Sequence, residues 1–208
     1  MKTKFVLMGV ACIVLLTLCI LVLYNNKAEE VNETQHIVPI QVTPPAQQTT
    51  MNLTSSAFGQ NQMIPSTYTC DAANSSPDLD WSGVPAGTVS LALIMDDPDV
   101  PTSIKPDGIF VHWVVFNIDP SVTGVSASST LEGTQGLNGA GKSGYIGPCP
   151  PDREHRYFFK LYALDQKLDL PRGASKTDVE AKMTGHILQQ AELMARYDKL
   201  ERQKKVSE

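Results

Sequence analysis

Two histidines stand where apolar residues are expected. In "GIFVHWVVFNI", His112 is the only ionisable group of a run that otherwise reads as a buried strand, and in "EHRYFFKLYALD", His155 lies at the entrance of the next apolar run. Asp96, Asp97 and Asp99 close the run "LALIM" and open a proline-bounded loop, "DDPDVP". Such positions are informative because a polar group among apolar ones must find a partner or a use. All of them fall at strand ends, so they can converge on one rim of a sheet structure. Three chemistries fit that convergence. Imidazoles and backbone N–H groups of a Gly-rich loop can bind a phosphate or carboxylate while an aspartate orients one ring. His112, His155 and one aspartate can make a metal site with open positions. Alternatively, the aspartates cap turns and the histidines satisfy buried backbone groups. Nucleophilic catalysis is not supported. There is no G-x-S-x-G elbow, and Cys149 is hemmed by Pro148, Pro150 and Pro151 with no helix start to activate it. No catalytic residue and no cofactor are expected.

A fourth chemistry is suggested by "GLNGAGKS", Gly136 to Ser143, which fits the phosphate-loop pattern G-x-x-x-x-G-K-[ST]. That pattern works only between a buried strand and a helix that begins at the Lys-Ser. Upstream lies the polar "SASSTLEGTQ" and downstream "GYIGPCPP", whose glycines and prolines forbid the helix. ATP is therefore not expected as a ligand.

The elements that must position these residues are short runs rich in β-branched and aromatic side chains: 88–95, 109–118 and 156–164. Turn-rich segments join them, which favours a mostly antiparallel β-sandwich over a doubly wound sheet. A helix is expected from about Lys176 to Arg202. Val179, Met183, Ile187, Met194 and Tyr197 recur near the helical period, and Ser175 or Thr177 can cap its start. His186 beside that stripe reads as a hydrogen-bonded histidine at a helix-to-sheet seam.

The chain of 208 residues begins differently. Lys2 and Lys4 precede an apolar run from Phe5 to Tyr24, long enough to span a bilayer as an uncleaved transmembrane signal anchor. The alternatives are a cleaved signal peptide and a lipoprotein with Cys19 lipidated, although Leu18 is large for that processing site. Residues 25–50, which include His36, read as a flexible tether with a mean reach of roughly 30 Å. The organisation expected is thus anchor 1–24, tether 25–50 and domain 51–208, with the domain on the periplasmic or extracellular side. There, Cys70 and Cys149 can form a disulfide, the other reading being two separate thiols. A net charge of −5 with no basic stripe before the C-terminal "KLERQKK" argues against nucleic acid as a partner.

Five ordered motifs carry a resemblance: "IPSTYTCD", "NSSPDLDWSGVPAGTVSLALIMDDPDVP", "VHWVVFNI", "GKSGYIGPCPP" and "HRYFFKLYALD". Together they closely resemble the phosphatidylethanolamine-binding protein family, in its bacterial and archaeal Raf-kinase-inhibitor-like (YbhB/YbcL-type) branch, over roughly Met51 to Tyr197. The resemblance implies a sandwich of two antiparallel sheets with a C-terminal helix and a small pocket for phosphate-type head groups and other anions. The family's Asp-Pro-Asp-x-Pro loop falls on Asp97, Pro98, Asp99 and Pro101, and its pocket histidine on His112. Its His-Arg-Tyr signature falls on His155, Arg156 and Tyr157. Its Gly-x-Pro wall falls on Gly147, Pro148, Pro150 and Pro151, with Tyr145 just before it. Under this resemblance His112 and His155 would donate to an anion, and Asp97 and Asp99 would orient them or receive an ammonium. Ala72 and Asp78 depart from the branch pattern, so the first loop is expected to differ in shape. An exported domain cannot meet cytoplasmic kinases, so kinase inhibition is not carried over. The expected function is a membrane-tethered binding domain for a small anion or phospholipid head group. A surface interaction protein such as a protease inhibitor and a metal-assisted hydrolase are the alternatives.

Overall fold

Hydrophobic runs with both faces apolar have to be covered on both faces, and the fold is organised around one such run. The computed structural model describes residues 50–206. Strand β3 (Ser90–Asp97) is buried along its whole length and lies between β4 (Phe110–Ile118) and β7 (His155–Leu164). With β6 (Thr134–Gln135) and β8 (Ile187–Tyr197) they form a five-stranded antiparallel sheet in the order β6-β4-β3-β7-β8. The second sheet is three-stranded: β1 (Asn52–Thr54), β2 (Leu79–Ser82) and β5 (Gly124–Val125), again antiparallel. Alternation along β3 divides its side chains between two cores. Leu91, Leu93 and Met95 pack with Trp113, Phe159 and Leu161 against Leu53, Leu79 and Trp81 of the small sheet. On the other side, Ala92 and Ile94 meet Leu168, Val179 and Met183. The expected sandwich is therefore present, with a helical layer on the outer face of its larger sheet.

That layer is α1 (Lys176–Met183), which starts at a capping box. Ser175 Oγ accepts the Asp178 N–H, and Asp178 Oδ2 accepts the Ser175 N–H at 3.1 Å. Its buried residues Val179 and Met183 each contribute about 1.5–3 kcal/mol by leaving water.

The expected helix from Lys176 to Arg202 is corrected here. It ends at Met183, Gly185 takes a φ of 83° after it, and the chain then runs as β8 up to Tyr197. Helical spacing selected Ile187 and Met194, but the residues that point inward are Ala191, Leu193, Ala195 and Tyr197, which obey period two. A second, short helix α2 (Leu200–Val206) closes the described chain. His186 sits at the seam as expected, its Nδ1 2.9 Å from Asp165 Oδ1. No helix among the described residues is long and apolar enough to cross a membrane. The apolar run Phe5–Tyr24 and the tether up to Thr49 lie outside the described residues.

"GLNGAGKS" folds as a tight turn. Asn138 Oδ1 accepts the N–H groups of Ala140 and Lys142 at 3.0 and 3.1 Å, and no helix begins at Lys142. The backbone donors that would cradle a phosphate are thus engaged by Asn138. One of these glycines serves a different purpose. A Cβ on Gly139 would fall 2.7 Å from the Phe110 ring, so its bareness is what seats Phe110.

Candidate functional site

The ends of β3, β4 and β7 that carry Asp97, His112 and His155 lie together at one end of the larger sheet. Asp97 continues the inward face of Leu93 and Met95. Its Oδ1 accepts the Asp99 N–H at 2.8 Å, which folds the D-P-D turn, and its Oδ2 meets His155 Nδ1 at 2.7 Å. His112 is inward-facing through an irregularity. Between the pairs Met95↔Trp113 and Asp96↔Val111, β4 has one residue more than β3, and that residue is His112. A bulge of this kind re-aims a side chain next to a site.

The ring of His112 is clamped. Nδ1 lies 2.6 Å from the Ile146 carbonyl, the Ile146 N–H returns a bond to the His112 carbonyl at 3.0 Å, and Tyr157 meets the ring edge-on at 5.2 Å. Burial pushes the imidazole down to about 4, against a smaller opposing effect of the Ile146 bond. The ring is therefore neutral at pH 7 with its hydrogen on Nδ1, donated to Ile146. Nε2 has no hydrogen-bond partner among the described residues and is a lone-pair acceptor.

His155 differs in each of these respects. Its side chain is fully buried and both ring nitrogens are engaged, Nδ1 with Asp97 and Nε2 with Asp152 Oδ1 at 2.8 Å. It orients Asp97 and has no nitrogen left for a ligand. Desolvation raises the Asp97 carboxyl above its ordinary value, partly offset by His155.

A cavity of about 370 Å³ opens here. Asp97 and His112 are its ionisable lining residues, Asn74 and Gly147 flank them, and Val100, Ile104, Phe110 and Ile146 make apolar walls. The wall is pinned covalently, since Cys70 and Cys149 form a disulfide with Cα atoms 5.4 Å apart. The Cys70 N–H also donates to the Pro148 carbonyl at 3.0 Å. Gly147 has to be glycine: a Cβ would lie 2.5 Å from both the Tyr68 carbonyl and Asn74 Oδ1. Its N–H donates to that same Asn74 oxygen at 2.7 Å.

Of the residues singled out in the sequence, Asp97, His112, Gly147, Cys70, Cys149 and Pro151 line the cavity. The others support it. Asp99 accepts Arg156 Nε and Nη2 at 2.9 and 2.7 Å, and this pairing holds its carboxyl below the usual range. Tyr157 lies behind His112, its hydroxyl buried with no hydrogen-bond partner among the described residues. Burial, and after it the charge of Asp97, raises that phenol. Tyr145 donates to the Tyr68 carbonyl at 2.7 Å and packs on Trp113. Pro148 and Pro150 act through their carbonyls, which accept from Cys70 and from Arg202.

Sequence reasoning missed Asn74, Val100, Ile104, Phe110 and Ile146 in the lining, and Asp152 behind His155. Phe110 was readable, because it stands two residues before His112 on the same strand. Asn74 left no signal beyond being an Asn in a loop, where it adopts a φ of 55°.

A β-sandwich with a clamped histidine and a buried aspartate lining one preformed cavity has the form of a small-molecule site. Residues 54–198 match the family model of the phosphatidylethanolamine-binding proteins, and the chain belongs to that family. Its relatives place it in the bacterial and archaeal branch. A UPF0098 protein of Methanothermobacter thermautotrophicus is 50% identical over 153 residues, covering 71% of this chain and 98% of the relative. A UPF0098 protein of Chlamydia trachomatis is 46% identical over 149 residues, covering 72% and 99%. Among solved structures, a phosphatidylethanolamine-binding protein homologue from C. trachomatis superposes with a TM-score of 0.71 at 45% identity, covering 73% of this chain and 99% of that one. E. coli YbcL gives 0.65 at 32% identity, covering 72% and 98%.

Proposed function

We propose that this chain is a membrane-tethered, exported binding protein whose sandwich domain takes a small ligand with an anionic head group, a phosphate or a phospholipid head group, into the cavity at Asp97 and His112. The observation that carries this reading is the cavity itself. It has apolar walls, and two convergent ionisable side chains form its polar end, each held in place by a hydrogen bond to the protein. The apolar run Phe5–Tyr24 would supply the anchor and residues 25–50 the tether. The disulfide agrees with an oxidising compartment.

The metal-assisted alternative has less support. Among the described residues no group of three His, Cys, Asp or Glu is placed to hold a metal ion, and both nitrogens of His155 face carboxylates. The test is a thermal-shift titration of the full chain in detergent with inorganic phosphate and phosphoethanolamine. Both are expected to raise the melting temperature, and to do so less in His112→Ala. Absence of a shift with either compound would contradict an anion pocket.

A further inference from the structure

The polar end of the cavity presents acceptors where an anion would need donors. His112 gives its Nδ1 hydrogen to Ile146 and keeps a lone pair on Nε2. Asp97 is a carboxylate whose two oxygens already accept from the Asp99 N–H and face His155. No Lys or Arg is among the lining residues. The nearby arginines are engaged elsewhere, and the nearby lysine stands outside the lining. Arg156 is paired with Asp99 and Arg153 with Asp152, while Lys105, 6.0 Å from the centre of the Phe110 ring, is not among the lining residues. A bare dianion placed against these groups would meet a lone pair and a carboxylate inside apolar walls, with no opposing charge.

We propose that the pocket captures its anion together with one proton, and therefore selects phosphomonoesters, which carry a titratable P–OH, over phosphodiesters. The proposal rests on the anion-pocket reading above. In the complex a P–O–H group donates to Nε2 of His112, while the remaining phosphoryl oxygens turn toward the rim. There the amide nitrogen of Asn74 has no hydrogen-bond partner among the described residues. The balance is one dianion plus one proton from solvent giving one bound monoanion. A diester has no such hydrogen, so His112 itself would have to be protonated. Burial opposes that step, and the groups that bear on the ring act in both directions. Asp96 from β3 favours the charge and His155 from β7 opposes it. Tyr157 and Phe110 offer rings, and the wall from Ile146 to Pro151 has no charge to offer.

The measurement is isothermal titration calorimetry on the full chain in detergent between pH 5.5 and 8, in paired buffers of different ionisation enthalpy, with methyl phosphate and dimethyl phosphate as probes. Methyl phosphate is expected to bind with constant affinity below its second pKa of about 6, and to weaken by about tenfold per pH unit above it. Proton uptake should approach one per ligand at pH 8. Dimethyl phosphate should bind at least about tenfold more weakly at pH 7, from the cost of protonating His112. His112→Gln, which supplies an amide donor, should bind methyl phosphate with a flattened pH profile. Dihexanoyl phosphatidic acid, a lipid monoester, identifies the source: tighter binding than methyl phosphate marks a lipid-borne ligand, and equal or weaker binding a soluble one. Either result is compatible with proton-coupled capture. Methyl phosphate bound with equal affinity from pH 5.5 to 8 without proton uptake, or a diester bound as tightly, overturns proton coupling while leaving the anion pocket standing. If no probe binds at any pH, the anion pocket and the proton coupling fall together.

Discussion

Asp96 and Asp97 are consecutive, and each is 3% exposed, yet they serve opposite ends because β3 turns them to opposite faces. Asp96 points toward the helical layer. Lys160 Nζ reaches its two oxygens at 2.9 and 3.0 Å, and Lys176, itself paired with Glu180 at 2.8 Å, adds a contact at 3.4 Å. Each of the four charges in this cluster has an opposite charge against it. Asp97 points toward the cavity, and its partner is a histidine whose other nitrogen meets a second carboxylate. Burial and residue type are therefore the same in a structural ion cluster and in a candidate site. What separates them is space, and polar capacity with no partner among the described residues: Nε2 of His112 and the hydroxyl of Tyr157.

The two regions should respond differently to perturbation. The largest effect is expected on the cavity side, where the disulfide closes a loop across 79 residues of sequence. Replacing both cysteines by serine should lower the unfolding free energy by roughly 2–4 kcal/mol in urea titration, and should loosen ligand binding as the Gly147 wall is released. The cluster around Asp96 should be left intact, so α1 should keep its protection in hydrogen exchange.

Next in size is a pH effect that belongs to the cavity side alone. His112 is held at about 4 in the folded chain against 6.5 when exposed, so the unfolded chain binds a proton in this window and the folded chain does not. The stability of the neutral form is complete above pH 6.5 and is lost as pH falls toward 4, by about 3 kcal/mol in all. His112→Gln should remove that loss from a series of denaturation curves. Asp97 works in the opposite sense. Its raised carboxyl favours the protonated form in the folded state, so its contribution is lost as pH rises through the folded value.

A paired comparison is sharper. Asp96→Asn should cost about 2 kcal/mol, because it weakens charge-assisted bonds to Lys160, while ligand affinity stays as in the parent chain. Asp97→Asn should cost less than about 1 kcal/mol, because a neutral group replaces a carboxylate whose ionised form is disfavoured, while affinity for an anion rises as the like charge is removed from the cavity. The smallest effect is expected at the edge of the helical layer. Ser175→Ala removes the cap of α1 and should cost about 1 kcal/mol without changing binding.

The cores of β3, β4 and β7 were legible because long apolar runs bounded by Pro, Gly and Asp have few alternatives. Strand β8 was not, because "ILQQAELMARY" has small or polar residues at alternate positions and fits a helical stripe almost as well as a strand. Its pairing with β7 is a tertiary fact. At the site, the types and positions of Asp97 and His112 were readable. Their division of labour was not, because it depends on which atoms are already engaged. His155 looked like a second donor until Asp152, three residues earlier, took its Nε2. Tyr145 and Pro150 looked like wall residues, and they hold the wall from behind.

The most direct test is binding of inorganic phosphate to the full chain in detergent, measured by calorimetry on the parent, Asp96→Asn and Asp97→Asn. The assignment of the cavity predicts that the parent and Asp96→Asn bind with the same affinity and that Asp97→Asn binds severalfold more tightly, because the like charge beside the bound anion is gone. Equal binding by the parent and both variants, or a changed affinity in Asp96→Asn with Asp97→Asn unaffected, would contradict it.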